Sequence, residues 1–252
     1  MARVLAVANQ KGGVAKTTTV HALAVALVEL GERVLVIDLD PQACLTFSMG
    51  IDPVVLDASI HDTFVRAMPA EKIVQHVDGV DLLPSTIDLA GSEVHLLTRT
   101  GREHVLARAI APLRPSYDTV LVDCPPSLGV LTINGLTVAD QVLVPLQCEA
   151  LSHRGVAQLL ETIDDVRLFA NPALTVRGII ATMFDGRTRH GREILDDVRS
   201  RYGLPVLEPP VTKSIRFAEA PARGRSILQH APSSPGADAY RAIARTLHAD
   251  LA

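Results

Sequence analysis

Tryptophan is absent from this 252-residue chain and aromatic residues make up only 3% of it, although hydrophobic residues reach 48%. A core drawn from Ala, Val, Leu and Ile instead suits helices stacked on a buried parallel sheet. Cysteine is scarce too. Cys44, Cys124 and Cys148 form no C-x-x-C pair and no metal-ligand spacing. Their odd number, with no secretory leader, points to reduced thiols and a cytoplasmic setting. No apolar run approaches the length that crosses a bilayer. The opening RVLAVA is six residues and runs into a lysine-glycine loop, so it reads as a strand rather than a signal sequence. An excess of positive charge is also missing, the formal net charge being -4. Lysine is the rarest cation, with 4 against 20 arginines, so each lysine position is informative.

What is present is alternation. RVLAVA (3–8), RVLVID (33–38), VDLLPS (80–85), TVLVDC (119–124), QVLVPL (141–146) and RGIIAT (177–182) read as buried strands. Helical spacing lies between them, in KTTTVHALAVALVEL, TIDLAGSEVHLL, REHVLARAIAPL, SHRGVAQLLETIDDVRLF and REILDDVRSRY. This order predicts an α/β fold, a doubly wound and mostly parallel sheet with helices on both faces. No internal repeat, low-complexity tract or long linker divides the chain, so residues 1–252 are expected to form one domain. Ligands on such a sheet sit beyond the carboxyl ends of its strands.

Two of the four lysines flank a glycine pair in NQKGGVAKTTT (9–19). The stretch follows a strand and opens a helix, the context of a phosphate loop. Gly12 and Gly13 let backbone N–H groups close on anionic oxygens, and the helix N-terminus adds orphan donors. Lys16 would reach the outer phosphates and the Thr17 hydroxyl would hold Mg2+. Gln10, Lys11, Val14, Ala15 and Thr18 complete the predicted nucleotide loop. Two aspartates end the second strand run, Asp38 and Asp40 in VIDLDPQ, and Asp123 ends TVLVD. Carboxylates there suit Mg2+ organisation or water positioning, Asp123 as a metal ligand; Asp38 and Asp40 could also merely cap a turn. Cys124 reads as a small core residue rather than a nucleophile.

K-G-G-x-x-K-T, with its early lysine, resembles the deviant Walker A motif of the ParA/MinD group of P-loop ATPases. DCPPSLG, LLPSTIDLAGSE, TINGLTVADQVLVPLQCE and RFAEAPARGRSILQHAPSSPGADAY are similar to Soj-type chromosome-partitioning members. The resemblance spans most of the chain. It implies the P-loop fold, Mg-dependent ATP hydrolysis to ADP and a homodimer in the ATP state. Lys11 would be the signature lysine that crosses to the partner's nucleotide, and Asp40 the residue that orients the attacking water. Catalysis is thereby assigned to Lys11, Lys16 and Asp40, and Mg2+ to Thr17 and Asp123. Ala15 departs from the glycine usual there: its methyl is harmless at negative φ and strained at positive φ. Because the chain begins at its first strand, it is closer to the Soj branch than to plasmid members with an added N-terminal domain.

Between Phe184 and Arg225 stand nine Lys or Arg against six Asp or Glu. Arginines on one face would attract DNA phosphates without reading sequence. By resemblance, Arg187 and Arg216 are the DNA contacts, with Arg189, Arg192, Lys213, Arg223 and Arg225 as possible helpers. VTKSIR departs from the family's I-P-R-N-V-R and is expected near the adenine. The implied partners are non-specific double-stranded DNA and a ParB-type protein, and the implied location is the nucleoid. Three other readings stay open. A MinD-like membrane switch would need a cation-rich amphipathic tail, which the Ala-rich AYRAIARTLHADLA does not resemble. Metabolic or cofactor-assembly P-loop enzymes, including nitrogenase-reductase-like iron–sulfur proteins, would need paired cysteines bridging a dimer, and Cys44, Cys124 and Cys148 do not fall at the matching places. An orphan ParA that positions different cargo shares the whole machine.

Overall fold

A computed structural model describes residues 2–148, 152–185 and 189–251. β1 (Arg3–Val7) leads through the glycine loop into α1 (Lys16–Glu29), followed by β2 (Val34–Asp38), α2 (Cys44–Ser48) and α3 (Ile60–Arg66). Next come β3 (Gln75–Val77), β4 (Val80–Leu83), α4 (Leu89–Leu97), α5 (Val105–Ile110) and β5 (Thr119–Asp123). The remainder runs α6 (Val130–Val138), β6 (Gln141–Gln147), α7 (Ser152–Phe169), β7 (Thr175–Thr182), α8 (Arg189–Tyr202) and β8 (Val206–Leu207). Three helices close the chain: α9 (Arg216–Glu219), α10 (Ile227–His230) and α11 (Pro235–Ala249).

Among the described residues the strands form one eight-stranded sheet in the order β3-β4-β2-β5-β1-β6-β7-β8. Every pairing is parallel except β3 with β4. Strands β2 and β5 are buried along their whole length, as helix cover on both faces requires. One hydrophobic cluster, with Phe64, Leu106 and Leu131, fills one face; the other, with Leu23, Ile180 and Tyr240, fills the opposite face. Helix α1 is apolar nearly all round because it lies between the sheet and α11. At Gly178 (φ +152°) the β6–β7 register shifts, and a Cβ would come within 2.7 Å of the Pro205 carbonyl oxygen.

All six predicted strands are present. The predicted helix at 102–113 is instead a 3-10 turn, Arg102–His104, followed by α5. The register of the central strands decides where the acidic side chains stand. Asp38 and Asp123 are opposite one another at the carboxyl ends of β2 and β5, and Val7 of β1 is opposite Asp123. The glycine loop therefore leaves the sheet beside both carboxylates.

Candidate active site

Asn9 fixes the start of the loop. Its side-chain amide donates to the Pro145 carbonyl at 2.7 Å, and its Oδ1 accepts the Lys11 N–H at 3.0 Å. Farther along, the Thr182 hydroxyl donates to the Val14 carbonyl at 3.0 Å, tying the loop to the end of β7. Gly12 and Gly13 are exposed, with no atom within 4 Å of where a Cβ would stand. Gly13 is also left-handed, at φ +72°. An open concavity of backbone donors at a helix start is an anion cradle. The Lys16 ammonium folds back across it and donates to the Lys11 carbonyl at 3.2 Å.

Ala15 caps α1 at φ 67°, ψ 35°, so the unfavourable alternative for its methyl is the one realised. A left-handed L-residue costs about 1–2 kcal/mol, while glycine in its place adds about 0.5–1 kcal/mol of unfolded-state entropy. Ala15→Gly is therefore expected to raise the melting temperature by up to about 3 °C for a chain of this size. A lower melting temperature would show that the loop carries this alanine without strain.

The aspartates divide by environment. Asp38 is fully buried and accepts from the Thr46 amide (2.9 Å), the Thr46 hydroxyl (2.8 Å) and the Asp40 amide (3.1 Å). Burial pushes its pKa up to about 6 against those bonds. Asp123 is equally buried, but no donor reaches either of its oxygens in ordinary hydrogen-bond geometry. Burial and the charge of Asp38 raise its pKa, while Thr17 and Lys16, which face it, pull the other way. An orphaned carboxylate beside a hydroxyl and an ammonium is costly as it stands. The donor set fits a hard divalent cation completed by phosphate and water oxygens. Asp40 is half-buried; its Oδ1 accepts the Gln42 N–H at 2.9 Å, and its carbonyl accepts the Ser85 hydroxyl at 2.8 Å. Burial lowers the Lys16 pKa, and Asp123 and Asp40 partly restore it.

Lys16, Thr17 and Asp40 open into a cavity of about 780 Å³, which the buried Asp38 and Asp123 do not line. Gly12, Gly13, Lys16, Thr17, Thr18 and Asp40 form its polar end. The other walls are largely apolar, with Phe47, Met183, Val211, Phe217 and Tyr240. His21 lines this part as a neutral imidazole, its pKa lowered to about 4 by burial, with Nδ1 3.3 Å from the Ser48 hydroxyl. A charged end joined to an apolar slot mirrors the chemistry of a nucleotide.

A family model described as an AAA domain matches residues 2–176. The chromosome-partitioning ATPase Soj of Thermus thermophilus is 43% identical over 247 residues, covering 98% of this chain and 96% of that protein. The chain belongs to the ParA/MinD family of P-loop ATPases. This ATPase is also 37% identical to the sporulation initiation inhibitor protein Soj of Bacillus subtilis, over 99% of the chain and 100% of that protein. A Mycobacterium smegmatis crystal structure, described as cobyrinic acid a,c-diamide synthase with bound ADP and magnesium, is 51% identical. It superposes with a TM-score of 0.89 over 98% of this chain and 94% of that one.

Within the ATPase, Ala15, Lys16, Thr17, Thr18 and the glycine pair line the cavity, as does Asp40. Gln10, Lys11 and Val14 do not. The Val14 side chain is buried in the protein, and only its carbonyl takes part in fixing the loop. Val211, Thr212, Lys213 and Ser214 lie on the cavity wall, the side expected of the adenine. Lys213 and Arg225, which the charge pattern groups with the DNA helpers, belong to this wall. Arg216 is exposed on α9, whereas Arg187 lies outside the described residues. His21, Phe47, Met183 and Tyr240 carried no sequence signal, because each resembles an ordinary core residue until the chain is folded. Cys124 is fully buried, and burial pushes its thiol well above the usual range.

Proposed function

We propose that this ATPase is a nucleotide-controlled dimerisation switch that binds DNA without sequence preference and takes part in partitioning chromosomes or plasmids with a ParB-type partner. The observation that carries the chemistry is the buried, orphaned Asp123 facing Thr17 and Lys16, both of which line the cavity. Thr17 and Asp123 would hold Mg2+, which when bound neutralises charge on the outer phosphates. Lys16 would bind those phosphates, exchanging the Lys11 carbonyl for them. Asp40 would orient water for in-line attack, giving ADP and phosphate. Lys11 would reach into the partner's site, so that ATP joins two protomers. The expected location is cytoplasmic, on the nucleoid.

The exposure of Arg216 on α9 supports the DNA reading, which the family resemblance extends to Arg187. Two arginines per protomer give a dimer four phosphate contacts, corresponding to a log–log salt slope of about −3.5. Pairing also multiplies weak contacts by effective concentration. Retention of a random-sequence duplex is expected to require Mg·ATP and to fall steeply with salt. Equal retention by apo and Mg·ATP protein at matched salt would overturn the switch.

Two rival readings find less support. Among the described residues no helix is long and apolar enough to cross a membrane. The apolar stripe of α11 (Ala237, Tyr240, Ile243, Ala244 and Leu247) is buried in the protein, with α11 packed on α1, so a MinD-like surface helix would have to undock it. A diamide synthase that draws nitrogen from an amide through a thiol needs an activated cysteine. Cys124 is fully buried and burial raises the Cys148 pKa to about 11, while the exposed Cys44 has its pKa raised by partial burial and by the carboxylates of Asp40, Asp38 and Asp123.

A further inference from the structure

Helix α9 and the 3-10 turn after it, Pro221–Arg223, have two working sides. Phe217, Ala218, Ala220 and Pro221 line the cavity that also contains Lys16 and Thr17. The other side is charged. Arg216 and Glu219 pair at 3.5 Å, their side chains 56% and 44% exposed. Glu219 also accepts a hydrogen bond from His230 Nε2 at 3.1 Å, and that imidazole is only 7% exposed. The bond from His230, together with the charges of Arg216 and Arg223, holds Glu219 below the ordinary carboxylate range. At its far end the turn rests on α2. Gly224 (φ +62°) approaches so closely that a Cβ would stand 2.7 Å from the Gly50 Cα. Phe47 and Ser48 of α2 line the same cavity. One short segment thus touches the cavity on one side and presents Arg216 on the other.

We propose that Glu219 is a positioning residue for the polyanion-binding face. Fixed by His230, it occupies Arg216 as an internal rival to DNA phosphate. The inference rests on the reading of Arg216 as a DNA contact. An exposed ion pair is weak, worth a factor of about five at most. A rival of that strength cannot prevent binding, but it raises the threshold at which a lone protomer holds DNA. Because the dimer carries the pair twice, removing it should be felt as roughly the square of the single effect.

Glu219→Gln keeps an oxygen for the His230 bond and removes the charge. With a random-sequence DNA duplex and Mg·ATP, this variant is expected to bind roughly three- to twentyfold tighter, within that squared limit. With Glu219 uncharged, both copies of Arg216 make their phosphate contacts in full, so the log–log salt slope should steepen towards the value of about −3.5 set by four complete contacts. Because the paired form carries the ion pair twice and a lone protomer once, the ratio of Mg·ATP to apo affinity should widen. Glu219→Ala should move affinity and slope in the same direction. Unchanged or weaker binding with an unchanged slope in both variants would overturn the proposal, as would tightening by Glu219→Gln that persists in an Arg216→Ala background. Arg216→Ala alone separates the two levels of failure. If it leaves affinity and slope unaltered, the DNA reading of Arg216 fails. If it weakens binding while the Glu219 variants change nothing, only the role of Glu219 falls.

Discussion

Lys11→Ala protein in Mg·ATP is expected to scatter light as a monomer at concentrations where the wild-type chain pairs, while still binding nucleotide. Two of the bonds that Lys11 makes in its own loop come from backbone atoms: its N–H donates to Asn9 Oδ1, and its carbonyl accepts the Lys16 ammonium. Both bonds survive removal of the side chain. The glycine cradle, Lys16 and Thr17 that line the cavity are likewise unaffected, so affinity for nucleotide within one protomer should hold. The dimer would lose two charge-assisted contacts, one from each protomer. At about 1.5–3 kcal/mol each, their loss weakens association by roughly 10² to 10⁴. Lys16→Ala should differ, losing nucleotide binding itself and dimerisation only as a consequence. Light scattering beside a nucleotide-binding titration separates the two lysines. Full wild-type pairing by Lys11→Ala protein would remove the first lysine from the interface and leave its place in the loop without a role.

The fold and the site were legible to different depths. Strand runs such as VLVID and TVLVD announced themselves because both faces of the sheet are covered, which leaves uninterrupted apolar sequence. Helix α6 did not. Val130–Val138 is buried on nearly every side, so it has no polar face to set a helical period. Strands β3 and β8, of three and two residues, are too short to show a pattern. In the site, the glycine pair with Lys16 and Thr17 could be read locally, because a phosphate loop is contiguous. The supports of its neighbours could not. Thr46 holds Asp38 from eight residues away, and Ser85 reaches the Asp40 carbonyl from 45 residues away. The handedness of Ala15 is decided by how the loop closes against Asn9 and Thr182, not by the alanine itself. Charge pattern alone carries no direction: Lys213 and Arg225 fall in the same basic stretch as Arg216, and they line the cavity while remaining exposed.

Asp40→Ala is expected to lower steady-state ATP hydrolysis by about 10² to 10⁴, the usual range for losing a residue that positions or deprotonates the nucleophile, while dimer formation persists. That separation requires a carboxylate with few duties besides chemistry, and the structure gives it little else. Its Oδ1 accepts one exposed amide, that of Gln42, while the bonds from Ser85 and Ala43 reach its backbone carbonyl and outlast the side chain. Asp38, two residues earlier on the same strand end, has the opposite character: it satisfies three donors in a dry interior. Asp38→Ala would orphan all three, each costing about 1–3 kcal/mol, and should appear as a collapse of the melting temperature. The pair of variants therefore tests role assignment directly. Lost turnover with an intact melting transition at Asp40, and lost stability at Asp38, would separate the water-orienting carboxylate from the structural one. Because hydrolysis ends the paired state in this scheme, the Asp40→Ala dimer should also outlive the wild type on DNA, which a dissociation measurement after ATP washout would read. Wild-type turnover in Asp40→Ala protein would move the water-orienting role to another residue at the cavity mouth. A dimer that fell apart at the wild-type rate despite blocked turnover would break the link between hydrolysis and release.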